Sequence, residues 1–350
     1  MKSNYEPLGK HIRLVDYRNS EEVTSTVLGI SIDKEFMPSV ANVIGTDLSR
    51  YKLISKGLFA CNPMHVGRDE RLPIALYEKD NAAIVSPAYF MFEIIDRDVL
   101  NEEYLMMWFR RPEFDRECWF MTDGSVRGGI SWDDLCRIQL PVPPYERQLD
   151  VVESYRAITR RIAMQKEIND NLEAVLAASH SKMFFSKDTS EHSKLGELMT
   201  FGNGKSRPKT DGPIPVYGGN GVLSYTDHHN IENAVLIGRV GAYCGSVYLE
   251  QGICWVSDNA IFAKSKITKD EFFDYFLLKR LNLFNHHVGT GQQLLTQEIL
   301  NNIEVPKPVT EQIELFNRKA TSIFETIFTN SREIIRLQEL SDLLLSRLAG

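Results

Sequence analysis

Long apolar runs are missing from this chain. No stretch approaches 18 consecutive apolar residues, and residues 1–10 contain no apolar signal region, so a soluble, cytoplasmic protein is expected. Cysteine is scarce. Cys61, Cys118, Cys136, Cys244 and Cys254 form no C-x-x-C pair, and their odd number argues against a closed disulfide framework, which leaves buried free thiols. An excess of positive charge is absent too: 40 Lys and Arg face 47 Asp and Glu, a formal net charge of −7. Contact with a polyanion must therefore come from local basic loops or from partner subunits. The chain also lacks metal-ligand spacing, because His228-His229 and His286-His287 are adjacent pairs that would point to opposite sides of a strand.

Proline and internal glycine are absent from two long stretches, and each carries a heptad seam. In the first the seam is Val151, Tyr155, Ile158, Ile162, Gln165, Asn169, Leu172, Leu176, Ser179 and Met183. The second has Ile313, Phe316, Ala320, Ile323, Ile327, Asn330, Ile334, Leu337, Ser341, Leu344 and Leu348. Apolar a/d positions sustained for about five heptads predict two coiled-coil helices, over 145–185 and 310–350, each roughly 55 Å long. Gln165, Asn169 and Asn330 interrupt the seams near their middles. If the helices pair antiparallel, these polar groups share a central layer, and a buried amide there acts as a register lock by penalising slipped pairings.

The chain repeats itself about 165 residues apart. Gly124-Ser125, Ile130-Ser131, Leu135, Ile138, Pro141, Pro144 and Glu146-Arg147-Gln148 return as Gly289-Thr290, Leu295-Thr296, Leu300, Ile303, Pro306, Pro308 and Glu311-Gln312. A period this long marks a duplicated domain plus helix, related by a pseudo-two-fold repeat. Residues 1–144 and 193–309 are then two globular domains of α/β (α+β) class, with residues 185–194 as a polar linker. Strands are expected around Ala83-Ile84-Val85, Phe90-Met91-Phe92, Val235-Leu236-Ile237 and Cys254-Trp255-Val256. Each half adds one apolar helix, near Tyr104-Leu105-Met106 and Tyr275-Phe276-Leu277.

In the second half, Leu195-Gly196-Glu197-Leu198, Phe201-Gly202-Asn203-Gly204-Lys205, Tyr217-Gly218-Gly219-Asn220-Gly221, Ile237-Gly238-Arg239-Val240-Gly241 and Val256-Ser257-Asp258-Asn259-Ala260 together resemble a known family. They look like a target-recognition domain of the specificity (S) subunit of Type I restriction-modification systems. The junction Pro306, Pro308, Glu311 and Gln312 is similar to that family's passage from recognition domain into long helix. The first half keeps Leu8-Gly9, Val85-Ser86-Pro87-Ala88-Tyr89 and Gly124-Ser125. It departs at Phe59-Ala60-Cys61-Asn62-Pro63, where the second half has the run from Val235 to Gly241.

The resemblance implies a DNA specificity subunit that is not itself an enzyme. It would read a bipartite, asymmetric target in double-stranded DNA, one half-site per domain, with the antiparallel helices setting the spacer. Two modification (methyltransferase) subunits and restriction/translocase subunits would be its partners. S-adenosylmethionine, ATP and Mg2+ would belong to those partners, with none bound by this chain. Two rivals stand beside this reading: a coiled-coil adaptor that reads no DNA, and a methyltransferase or nuclease with its own active site. Against the enzyme, Gly204-Lys205-Ser206 has Met199 where a phosphate-binding loop needs glycine, and Asn62-Pro63-Met64-His65 lacks the aromatic of an amino-methyltransferase tetrapeptide.

Base reading calls for planar and cationic side chains on Gly-rich loops, because arginine matches guanine and Asn or Gln matches adenine. In the second half these are Lys205, Arg207, Lys209, Tyr217, Asn220, Arg239, Tyr243, Gln292 and Gln293. Asn62, His65, Arg68, Arg71, Ser125 and Arg127 are the first-half candidates. The repeat aligns Arg127 with Gln292, two residues after the Gly-Ser or Gly-Thr turn, so matched loops would carry different readers.

Overall fold

The computed structural model describes residues 5–40, 45–64, 66–122, 128–186, 191–289, 291 and 293–349. The chain packs as two compact units, residues 1–164 with 333–350, and residues 165–332. Among the described residues no helix is long and apolar enough to cross a membrane.

The first unit holds β1 (Tyr5–Pro7), β2 (Ile12–Leu14), β3 (Val27–Ile30), β4 (Phe36–Pro38), β5 (Lys52–Ile54), β6 (Phe59–Cys61), α1 (Val66–Asp69), β7 (Ile74–Leu76), β8 (Ala83–Val85) and β9 (Phe90–Ile94). It continues with α2 (Glu102–Phe109), α3 (Pro112–Phe120), α4 (Trp132–Arg137), β10 (Gln139–Pro141) and the first half of α5 (Tyr145–Phe184). Its strands form two four-stranded sheets, ordered β2-β9-β6-β7 and β4-β3-β8-β5, and a small β1-β10 pair. Phe59, Phe92, Phe109 and Tyr104 fill the core with Val152 and Leu345 from the long helices and Leu348 from the 3-10 turn that follows the second of them.

The second unit carries the rest of α5, then β11 (His192–Lys194), α6 (Leu195–Leu198), β12 (Met199–Asn203), β13 (Ile214–Gly218), β14 (Gly221–Thr226), β15 (Ile231–Gly238), β16 (Val247–Val256) and β17 (Ala260–Ser265). After these come α7 (Phe272–Arg280), α8 (Gln297–Asn302), β18 (Glu304–Pro306) and the first part of α9 (Thr310–Ser346). One six-stranded sheet, β12-β17-β15-β16-β13-β14, replaces the two sheets of the first unit, and β11-β18 form the small pair. Two segments differ from expectation. Residues 192–194 of the expected linker are strand, since they pair with residues 304–306. The distal helix stops at Ser346 and tightens into a 3-10 turn over Arg347–Ala349. Neither histidine pair sits on a strand: His228 and His229 lie in the loop after β14, and His286 closes a 3-10 turn.

Strand pairing shows that the duplication runs through both sheets. β15 bulges at Asn233, whose φ is +48°, so its first residues pair with 253–254 and the remainder with 247–250. In the first unit those two stretches are separate strands: β5 pairs with β8 and β6 with β7. The parallel partner is repeated as well, β13 on β16 in one unit and β3 on β8 in the other. Breaking one long strand pair at residues 55–58 thus turns a six-stranded sheet into two smaller ones. A break of this kind is tolerated because each short strand keeps a buried face, with Ala83, Ile84 and Val85 all 0–1% exposed.

The junctions into the long helices are built alike in each unit. Ser131 caps α4 by accepting from Asp134 N at 3.1 Å, and Thr296 caps α8 by accepting from Ile299 N at 3.2 Å. Leu8 N donates to Ile138 O at 2.8 Å, and Leu195 N donates to Ile303 O at 2.9 Å. Gly9 and Gly196 leave the space this needs: an added Cβ would lie 2.8 Å from Cys136 Cβ in one case and 2.5 Å from Asn301 Oδ1 in the other.

Within each unit the two long helices run antiparallel, Arg161 reaching Glu333 in the first and His180 packing on Phe316 in the second. Every seam residue named from the heptads is buried or half-buried. The central polar layer forms in the second unit: Asn330 Nδ2 donates to Asn169 Oδ1 at 2.8 Å, and Gln165 is 6% exposed.

Candidate nucleic-acid interface

At one end of the six-stranded sheet, five chain segments converge: the residues after β12, the β13-β14 turn, the β15-β16 loop, the β16-β17 turn and residues 293–295. Main-chain bonds hold them together. Lys205 N donates to Val256 O (2.9 Å), Arg239 N to Asn259 O (3.0 Å), Gly241 N to Gln293 O (3.0 Å) and Leu295 N to Arg239 O (2.9 Å). Glycine is required where these strands meet. A Cβ on Gly204 would lie 2.0 Å from Ser257 O, and one on Gly238 would lie 2.1 Å from Tyr243 O.

This cluster gathers Lys205, Tyr217, Asn220, Arg239, Tyr243 and Gln293. Lys205, Asn220 and Tyr243 are exposed, while Gln293 is half-buried. Arg207 is exposed two residues beyond Lys205. Lys209 is exposed elsewhere, beside Thr210, whose hydroxyl meets Asp227 at the start of the β13-β14 hairpin. Tyr217 is spoken for: its hydroxyl donates to Glu250 Oε2 at 2.9 Å, and burial together with the Glu250 charge pushes its pKa well up. Gln292 lies outside the described residues. Ser257, which sequence reasoning left unassigned, sits at the centre of the cluster, bridged to Lys205 and donating from its N–H to Tyr217 O. Its signal lay in the run from Val256 to Ala260, but a bridge across 52 positions has no local trace.

Residues 187–343 match the family model described as the Type I restriction modification DNA specificity domain. That stretch of the chain is similar to this family. The whole chain shares its fold with the Type I restriction-modification system S subunit from M. genitalium, at 15% identity and a TM-score of 0.61, covering 99% of this chain and 96% of that one. Two further structures are more loosely similar. One is of the type I R-M system, concerned with complex assembly and conformational transition (17% identity, TM-score 0.47, 99% and 97% covered). The other is the HsdS subunit from Thermoanaerobacter tengcongensis (16%, 0.39, 98% and 95%). No curated protein matches the sequence.

The first unit builds the equivalent of the specificity domain's loop cluster. Asn62 N donates to Pro73 O at 2.8 Å as Gly238 N does to Ser246 O, and Gly67 N donates to Gly128 O at 3.0 Å as Gly241 N does to Gln293 O. Ile130 N reaches Pro63 O at 3.1 Å, as Leu295 N reaches Arg239 O. Asn62 is half-buried and turns its Oδ1 to Met64 N. Arg68 is exposed and forked onto Asp69 at 2.7 and 2.8 Å; exposed Arg71 meets Asp33 at 3.2 Å. Exposed pairs like these are worth about 0–1 kcal/mol, so a phosphate can displace either carboxylate. His65, Ser125 and Arg127 lie outside the described residues.

The loop cluster can supply charge and hydrogen bonds. Among the described residues no group of three or more His, Cys, Asp or Glu could hold a metal ion.

Proposed function

We propose that this chain is the non-catalytic specificity subunit of a Type I restriction-modification complex and reads a bipartite, asymmetric DNA target. Each recognition domain takes one half-site in the major groove, and the long helices set the spacer between the halves. Modification subunits and restriction/translocase subunits supply the chemistry, and with it the sites for S-adenosylmethionine, ATP and Mg2+. One observation carries the reading: the frame of the loop cluster recurs in both units, while the side chains on it differ. Gln293 accepts from Gly241 N where Gly128 accepts from Gly67 N, so one frame carries an amide side chain at a position where the other carries none. A shared frame with different readers is what two unlike half-sites require, since base contacts specify and the frame only positions.

Exchange of residues 196–305 for the corresponding domain of another specificity subunit tests this. The expected outcome is a target in which one half changes and the other half and the spacer stay. A chain that merely joins proteins would show no change in the DNA recognised.

A further inference from the structure

We propose that Arg239, Ser257 and Lys205 form an anchor for one backbone phosphate of the bound DNA, and that Arg239 holds the duplex without reading a base. The inference rests on the DNA-reading function proposed above and assigns roles within its second domain. A guanine-reading arginine presents its fork outward, so that two N–H groups meet O6 and N7. Arg239 is not free to do so. It is half-buried, its Nη1 donates to Asp258 O at 3.3 Å, and its Nε is enclosed with no partner among the described residues. The guanidinium is therefore held against the turn of residues 257–259, with one N–H committed and another stranded.

Ser257 supplies a second, independent observation. It is 2% exposed, and its buried hydroxyl has no hydrogen-bond partner among the described residues. In the first unit the corresponding residue is Ser86, which closes the same turn: Tyr89 N donates to Ser86 O at 3.1 Å, as Ala260 N does to Ser257 O at 3.0 Å. There the hydroxyl is used, accepting from Ala88 N at 3.2 Å. The orphaned pair thus belongs to the second domain. A buried donor without a partner has lost its hydrogen bonds to water, and a bound acceptor restores one.

Lys205, paired with Ser257 through a parallel bridge, adds an exposed ammonium. A single group with several anionic oxygens satisfies all three side chains, and on DNA that group is a phosphate. Asp258 is exposed on the same turn and its carboxylate opposes a free anion, so the anchor favours phosphate delivered within a duplex. Both orphaned atoms are buried in the resting structure. Contact needs a rotation of each side chain, which the relief of the unpaired donors favours.

The test uses the full chain and a random duplex pool, from which the preferred sequence is selected and read. Arg239→Lys, Arg239→Ala and Ser257→Ala are compared with the parent, and thermal melting confirms folding. The anchor predicts an unchanged preferred sequence in all three. It also predicts equal weakening on selected and unrelated duplexes, and a salt slope smaller by about 1 in Arg239→Ala. On duplexes with single neutral methylphosphonates, one linkage should weaken the parent and have no further effect on Arg239→Ala. A changed base at one position, or a parent-like salt slope in folded Arg239→Ala, overturns the anchor. Absence of any sequence preference in the parent defeats the DNA-reading proposal itself and the anchor with it.

Discussion

Asp274 lies in the first turn of α7, 1% exposed, and neither carboxylate oxygen has a hydrogen-bond partner among the described residues. Burial pushes its pKa from 3.8 up to about 7; the nearby Ser265 hydroxyl opposes that shift without reaching bonding geometry, and the Glu271 charge adds to it. Between those two values the folded chain keeps a proton that the unfolded chain has released. Stability from this group is therefore fully present at low pH and falls as pH rises toward about 7. Asp274→Asn should flatten that fall and raise the melting temperature at pH 8, by at most roughly 4 kcal/mol of stability. A variant with unchanged pH dependence in calorimetry would refute the assignment. His180 is a second buried polar residue, ringed by Phe184, Phe185, Phe273, Phe276 and Phe316, and burial pushes its pKa down to about 3. Neither residue was legible in the sequence. The surroundings of His180 come from α5, α7 and α9 together, while Asp274 faces Ser265 from the end of β17, and nothing in a local pattern reports either convergence.

At the scale of elements, the long helices were legible because burial there repeats every three or four residues. The sheets were less so, since pairings such as Val235 with Ala263 follow from distant segments and from a bulge at Asn233. The repeat also misled at one point. Gln148 and Gln312 align, yet only Gln148 is buried, where it accepts from Asn101 N and donates to Val99 O and Pro143 O. In the second unit Asn317 plays that part, accepting from Phe273 N and donating to Thr268 Oγ1 and Asp270 O. Gln148→Leu and Asn317→Leu should each cost about 1–3 kcal/mol by stranding buried main-chain groups, read as a lower denaturation midpoint. Gly238→Ala should cost about as much through its clash with Tyr243 O and disturb the loop cluster, read by hydrogen exchange around residues 239–246. For the central layer, Asn330→Leu alone leaves Asn169 Oδ1 without its donor and should destabilise. Asn169→Leu with Asn330→Leu should recover melting temperature while broadening spin-label distances between α5 and α9. A single sharp distance in the double variant would remove the register role.

On the scale of the whole molecule, junctions and loop frames are held alike and the side chains on the frames are not. The sequence showed the junctions, because Ser131 with Thr296 and Leu135 with Leu300 fall at one offset. It showed the frames poorly, because a long strand pair in one unit is split in two in the other. The central claim is that two unlike domains read two unlike half-sites, and its most direct measurement is a map of methylated adenines in DNA exposed to this chain together with the methyltransferase subunit proposed as its partner. The account predicts one bipartite, asymmetric motif with a fixed unspecified spacer. A continuous palindrome, or no motif at all, would contradict it.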